Sequence, residues 1–144
     1  MTNIKENFEV SELVCDHVFS KHGESSWRFL DPRLLKTLAY IRWRLNKPIW
    51  VNFRGKTTQR GLRCNLCELT KNRTTAGVLY ISAHVLGCAV DFDVEGMLAE
   101  EVRQWIENNK RQLPYPVRLE QDVRWVHMDV ATVSEEKVTY FKGH

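Results

Sequence analysis

The stretch Ser82-Ala83-His84-Val85-Leu86-Gly87-Cys88-Ala89-Val90-Asp91 is followed further along the chain by a second motif, Trp125-Val126-His127-Met128-Asp129. The two segments offer two imidazoles and a carboxylate, those of His84, Asp91 and His127. Three such ligands with a fourth position left for water are typical of a catalytic zinc, whereas structural zinc sites use four ligands and favour thiolates. The pattern therefore predicts a metal site that performs chemistry.

The same two segments are predicted to be strands. Residues 89–94 alternate apolar and polar side chains, as a half-buried strand does. Along residues 125–129 the tryptophan, histidine and aspartate share one face, and the aliphatic residues share the other. Gly87 permits a bend that can bring His84 back toward Asp91. We expect the aliphatic faces to pack on a core and the polar faces to line the site.

The other predicted elements segregate along the chain rather than alternate. Asp31 and Pro32 form a strong helix start, as N-cap and first helical residue. We predict helices at 11–20, 31–46 and 98–106, strands at 49–53, 79–81 and 139–141, a hairpin of 117–120 with 123–130, and a loop over 54–78. This order predicts an α+β fold, a small antiparallel sheet with helices packed on one side, in one domain of residues 1–144.

Composition places the chain among ordinary globular proteins. It has 144 residues, of which 43% are hydrophobic and 27% charged, with a formal net charge of +3. No apolar run approaches the roughly 20 residues needed to span a bilayer, and residues 1–12 lack the apolar core of a signal peptide. We therefore expect synthesis in the cytoplasm without a signal peptide.

The motif Ser-x-His-x-x-Gly-x-Ala-x-Asp, followed by Trp-Val-His, resembles the zinc D-Ala-D-Ala carboxypeptidase family. That family includes phage endolysin peptidases, the vancomycin-resistance dipeptidase and the Hedgehog signalling domain. Segments 8–13 and 34–42 are similar to helices of its bacterial and phage branch, and residues 54–80 match least. The resemblance implies a Hedgehog/DD-peptidase-like fold, with Zn²⁺ held by His84, Asp91 and His127.

The resemblance also implies an activity. The chain would be a zinc metallopeptidase that hydrolyses peptidoglycan stem peptides, as a D,D-carboxypeptidase or an endolysin-type endopeptidase, with a zinc-bound water as nucleophile. We expect a monomer that binds no nucleic acid and no membrane, and that acts on the cell wall after lysis or phage release. The alternative is a catalytically inactive zinc-binding structural or binding module of the same fold.

The general base is the least determined part of the predicted site. Some family members carry an acid three residues before the last histidine ligand, where this chain has Arg124. Others carry a glutamate six residues before it, where this chain has Gln121. We favour Glu120, because a one-residue difference in turn length could place its carboxylate beside the metal. Asp122 is the second candidate, and the third possibility is that neither reaches it.

Binding of a substrate carboxylate requires a positively charged side chain. Arg54 follows the predicted strand 49–53, and Arg63 lies in a segment that resembles the family's Ser-Gly-Tyr-Arg sequence. The bidentate fork of arginine suits either residue to this role, and we favour Arg63. Ser82 can bind substrate or simply close a turn. Asp129 can orient a ligand histidine or bind a backbone turn.

The four cysteines do not form a disulfide framework for a domain of this length. Cys64 and Cys67 have C-x-x-C spacing, but a zinc ribbon needs a second pair. We favour reduced thiols over a disulfide or a second metal. His17, His22 and His144 lie outside any ligand pattern. The basic residues of the 54–73 loop have few aromatic neighbours, which is typical of a solvated loop rather than a nucleic-acid surface.

Overall fold

The computed structural model describes residues 3–53, 55–74 and 77–143. These residues contain five strands and four α-helices, together with several 3₁₀ segments. The helices are α1 (Asp16–His22), α2 (Pro32–Leu45), α3 (Glu68–Lys71) and α4 (Ala99–Asn108), and the strands are β1 (Ile49–Trp50), β2 (Ala89–Val94), β3 (Val117–Gln121), β4 (Val126–Asp129) and β5 (Val138–Lys142). The predicted α+β class is confirmed.

The five strands form one mixed sheet in the order β1-β2-β4-β3-β5. Neighbours are antiparallel except for β3 and β5, which run parallel. The prediction of a purely antiparallel sheet is therefore wrong at this edge. The chain returns after β4 to the beginning of β3, where Val117 N–H donates to Lys137 O at 2.9 Å. From that point β5 can only run in the direction of β3.

One face of the sheet is apolar and packs against helices. Val90 pairs with Met128, and Met128 pairs with Leu119, so these three side chains share that face. They belong to one buried cluster with residues of α2 and α4, among them Leu38 and Ile106. Burial of this face fixes the strand register, because a slip of one residue would turn its apolar side chains to the opposite side. The opposite face is thereby left to the polar residues.

Helix α2 has the predicted start and end. Asp31 is its N-cap and accepts a hydrogen bond from Arg33 N–H at 2.8 Å, with Pro32 as the first helical residue. Asn46 ends the helix in the left-handed region, with φ of 49°. The cap, the fixed φ of proline and the tolerance of asparagine for positive φ are all local properties, which explains why the sequence predicted them.

Four other predicted elements differ. The helix expected over 11–20 begins only at Asp16, because Val14 pairs with Leu62 in an isolated bridge and Cys15 is extended, while Val10–Glu12 form a separate 3₁₀ turn. The strand expected at 79–81 is absent, and its residues have no regular structure. The strand expected over 49–53 is regular only at Ile49–Trp50, and the 54–78 loop contains α3.

Gly87 makes the bend that the sequence predicted. Its φ is +72°, and a Cβ at this position would lie 2.1 Å from the backbone oxygen of Phe29. Glycine is therefore required twice, once for backbone conformation and once for space. The bend returns His84 to β2, where its Nε2 lies 3.2 Å from Asp91 Oδ2.

Gly87→Ala is predicted to lower the free energy of unfolding by about 2–5 kcal/mol, because strain at positive φ adds to a clash with backbone that cannot swing away. Gly96→Ala is the matched control, since Gly96 has φ of +76° but open space around its Cβ position. It should cost only about 1 kcal/mol. Urea denaturation measures both, and equal losses would contradict the close-approach argument.

Candidate metal centre

Three side chains from two strands and one turn meet on the polar face of the sheet. Asp91 of β2 pairs directly with His127 of β4, so their side chains stand side by side. His127 Nδ1 lies 2.8 Å from Asp91 Oδ1, and His84 Nε2 lies 3.2 Å from Asp91 Oδ2. All three residues are buried, each with less than a tenth of its surface exposed. The structure thus brings together the three residues that the sequence singled out.

In each imidazole, the ring nitrogen that does not contact Asp91 has its own hydrogen-bond partner. His84 Nδ1 lies 2.9 Å from the backbone oxygen of Gly61, and His127 Nε2 lies 2.7 Å from Asp129 Oδ2. Such partners set which nitrogen carries the proton and which faces the metal. The atoms left to face a metal are therefore His84 Nε2, a carboxylate oxygen of Asp91 and His127 Nδ1.

Arg118 clamps this arrangement from the neighbouring strand. Its Nε and Nη2 donate to the two oxygens of Asp129, both at 2.9 Å. Asp129 is completely buried, and its charge is balanced by this bidentate pair. The structure shows both roles that the sequence left open for Asp129, because its Oδ2 contacts His127 Nε2 and its Oδ1 accepts a hydrogen bond from Ala131 N–H at 3.1 Å. The sequence did not single out Arg118, although strand pairing with Asp129 places it there.

The electrostatics of the centre favour a protonated His127 between the carboxylates of Asp91 and Asp129. Burial lowers the pKa of His127, but hydrogen bonds with Asp129 and Asp91 outweigh it and raise this pKa to about 9. Burial raises the pKa of Asp91, but hydrogen bonds from His127 and His84 hold it well below the usual range. A cation is thus already favoured at His127, where a metal would replace the proton on Nδ1.

The donor set fits a divalent metal. One ligand atom from each of the three residues lies within 4.8 Å of the other two. Nitrogen and oxygen ligands at about 2.0–2.2 Å from zinc stand roughly 3.3 Å apart in a tetrahedron, which is close to the 2.8 and 3.2 Å that separate the two imidazole nitrogens from the Asp91 oxygens. Two neutral imidazoles and a carboxylate leave one position open, and this donor set suits zinc among other transition metals.

Arg63 reaches the same centre, and Arg54 lies outside the described residues. Arg63 Nη2 is 3.5 Å from Asp91 Oδ2, and its Nε donates to Gln59 O at 2.6 Å. The guanidinium is largely buried, with 13% of the side chain exposed. Its backbone N–H donates to His84 O at 3.2 Å. A cation is therefore held beside the metal ligands by both its backbone and its side chain.

Glu120 lies on the same face of the sheet as His127, but its carboxylate is directed away from the three clustered residues. It follows Arg118 by two residues on β3 and so shares the face of Arg118 and His127. Its Oε1 lies against Gly143, where a Cβ would stand only 2.1 Å away. The ring of Phe141, which pairs with Glu120, packs edge-on against His127 with centroids 5.3 Å apart. Glu120 must therefore change rotamer to approach a metal.

Two other candidates have contacts that suggest different roles. Asp122 is 76% exposed and its Oδ2 lies 3.6 Å from Lys142 Nζ, at the end of β3. Ser82 Oγ accepts a hydrogen bond from Val85 N–H at 3.2 Å, which closes the turn that carries His84. Arg124, three residues before His127, is exposed.

The chain matches no known family profile, no curated protein and no solved structure at a significant level. Among the helices of residues 3–53, 55–74 and 77–143, none is long and apolar enough to cross a membrane. The local geometry of the centre therefore carries the functional argument.

Asp129→Asn is predicted to lower zinc affinity about 10–100-fold, because the amide removes the charge that fixes the His127 tautomer. Asp93→Asn is the control, since Asp93 also pairs with an arginine, at 2.7 Å from Arg60 Nη1, but contacts neither imidazole. Competition of zinc against a chromophoric chelator measures both affinities. Equal affinities for Asp129→Asn and wild type would remove Asp129 from the site.

The metal-free protein is predicted to lose stability between pH 6.5 and about 9. The pKa of His127 rises from 6.5 to about 9 on folding, so its contribution is fully present below pH 6.5 and is lost as the pH rises through 9. Urea denaturation with chelator present measures this decline. His127→Gln should flatten it and His22→Gln should not. An unchanged decline in His127→Gln would assign it to other groups.

Proposed function

We propose that the chain is a zinc-dependent metallopeptidase that hydrolyses peptide bonds of peptidoglycan stem peptides. The observation that carries the proposal is the buried set of His84, Asp91 and His127, with each imidazole oriented by a separate partner. Zinc in such a site polarises a carbonyl and lowers the pKa of water to about 7. The resemblance of the two motifs to the zinc D-Ala-D-Ala carboxypeptidase family supplies the substrate class.

The surrounding residues supply the remaining functions of a peptidase. Arg63 offers its guanidinium to a carboxylate of the stem peptide, since a bidentate fork recognises such a group. Asp129 and Arg118 hold the His127 ring, and so keep Nδ1 directed to the metal throughout turnover. Glu120 rotates away from Gly143, takes a proton from the attacking water and returns it to the leaving amine.

The second candidate is a module that binds zinc without turnover. Two observations favour it: the Glu120 carboxylate lies against Gly143, and Phe141 packs against His127 on the same face. Catalytic contacts are often long in metal-free structures and tighten with substrate. The peptidase and the binding module therefore differ in one property, which is whether a carboxylate of β3 reaches the metal when substrate binds.

Glu120→Gln is predicted to lower kcat for hydrolysis of a stem pentapeptide about 10²–10⁴-fold, because the amide cannot accept the proton of water. Zinc content and the free energy of unfolding should stay unchanged. The control is Glu136→Gln, an exposed carboxylate after β4, which should keep full activity. Amine release is measured with zinc-loaded protein.

Each outcome of this experiment separates the candidates. Loss of activity in Glu120→Gln alone supports the peptidase and the role of Glu120. An active Glu120→Gln protein overturns the role of Glu120. A zinc-loaded wild type that cleaves neither D-Ala-D-Ala, nor L-Ala-D-Glu, nor a cross-bridge supports the binding module.

A further inference from the structure

A second cluster of ligating side chains is built from residues that take no part in the first centre. Its members are Cys15, His17, Cys64 and Cys67, and one ligand atom from each lies within 4.8 Å of all the others. The sequence placed His17 outside any ligand pattern, which is wrong: the fold brings it beside two cysteines that are 47 and 50 residues away. Cys15 and His17, two residues apart, take the place of the second pair that a zinc ribbon needs.

The distances within the cluster match the edges of a tetrahedron around zinc. Cys64 Sγ lies 3.5 Å from His17 Nδ1, Cys67 Sγ lies 3.8 Å from the same nitrogen, and the two sulfurs are 3.9 Å apart. Zinc ligated by sulfur at about 2.3 Å and nitrogen at about 2.0–2.1 Å gives edges of roughly 3.6–3.8 Å. The sulfurs are free thiols, at a separation far from the S–S bond length of about 2.05 Å.

The backbone around the cluster is arranged to hold the ligands in place. Leu66 N–H donates to Cys64 Sγ at 3.4 Å, and Cys67 N–H donates to Cys64 O at 3.2 Å, which forms a tight turn between the two cysteines. Cys15 N–H donates to Leu62 O at 3.0 Å, next to the bridge between Val14 and Leu62. The N–H that points at a sulfur stabilises the thiolate that metal binding requires.

We propose that Cys15, His17, Cys64 and Cys67 form a closed Cys₃His site for a structural zinc ion. Three thiolates and one imidazole fill all four tetrahedral positions, which is the arrangement of structural rather than catalytic zinc. Binding releases the thiol protons to solvent and involves no change of oxidation state. His17 is exposed beside a cleft of about 840 Å³ that also reaches Cys15 and Cys67, which gives the ion a path to these two buried cysteines.

The position of this site explains what the zinc stabilises. The segment 60–64 runs between the two centres: Leu62 pairs with Val14 on one side, and on the other side Gly61 O contacts His84 while Arg63 reaches Asp91. Zinc at Cys64 therefore fixes the end of the segment that presents Arg63 and orients His84. The proposal does not depend on peptidase activity.

Zinc per chain, measured by elemental analysis on protein purified without chelators and with a reductant, tests the proposal. Wild type and Cys88→Ser should hold two zinc ions; Cys88 is the cysteine outside the cluster. Cys64→Ser with Cys67→Ser should hold one, and so should His84→Ala with His127→Ala. Zinc content that stays equal to wild type in the double cysteine variant overturns the proposal. Zinc loss in the histidine variant alone overturns it for the same reason, whereas zinc loss in the double cysteine variant supports it.

Cobalt substitution of the wild type gives a second measurement that needs no variant to fold. Co²⁺ bound by three thiolates gives intense near-ultraviolet charge-transfer absorption, which the His-Asp-His centre cannot give because it has no sulfur. The absorption should persist in His127→Ala and be kept by Cys88→Ser. Folded wild type without thiolate–cobalt absorption, or with a Cys64–Cys67 disulfide under reducing conditions, overturns the proposal.

Discussion

The buried chain of charges Asp91–His127–Asp129–Arg118 is the interaction on which the candidate site depends. Its hydrogen bonds of 2.7 to 2.9 Å cross three strands and satisfy charges that would be costly to bury alone. The arrangement exists only in one strand register, and burial of the apolar face selects that register. Packing on one side of the sheet therefore determines the chemistry on the other side.

The segment 60–64 is the second structural constraint. It has little regular structure, yet its backbone contacts both ligand clusters: Asp91 N–H donates to Arg60 O at 2.7 Å, and Cys15 N–H donates to Leu62 O at 3.0 Å. Gly61 is needed there because a Cβ would lie 2.1 Å from the backbone oxygen of Leu13. A loop that positions metal ligands needs such anchors, since loops otherwise move more than the elements that they join.

Local signals explain which parts of the fold and site the sequence could predict. The capped helix α2, the alternation in β2 and the bend at Gly87 depend on neighbouring residues, and so did the expectation that His84 returns to Asp91. The parallel edge of β5, the clamp of Arg118 and the cluster around His17 depend on contacts between distant segments. A sequence pattern holds no information on the direction from which β5 returns. Whether the Glu120 carboxylate can reach the centre belongs to the same class, because it depends on a side-chain rotamer.

The most direct test of the account is a crystal structure of the zinc-loaded protein with anomalous scattering measured at the zinc edge. We expect an ion bound by His84 Nε2, an oxygen of Asp91 and His127 Nδ1, with an open position beside them. His127 Nε2 should remain hydrogen-bonded to Asp129, and Asp129 to Arg118. The absence of an anomalous peak between the three residues in zinc-saturated crystals, or an ion bound through His127 Nε2 and Asp129, would contradict the account.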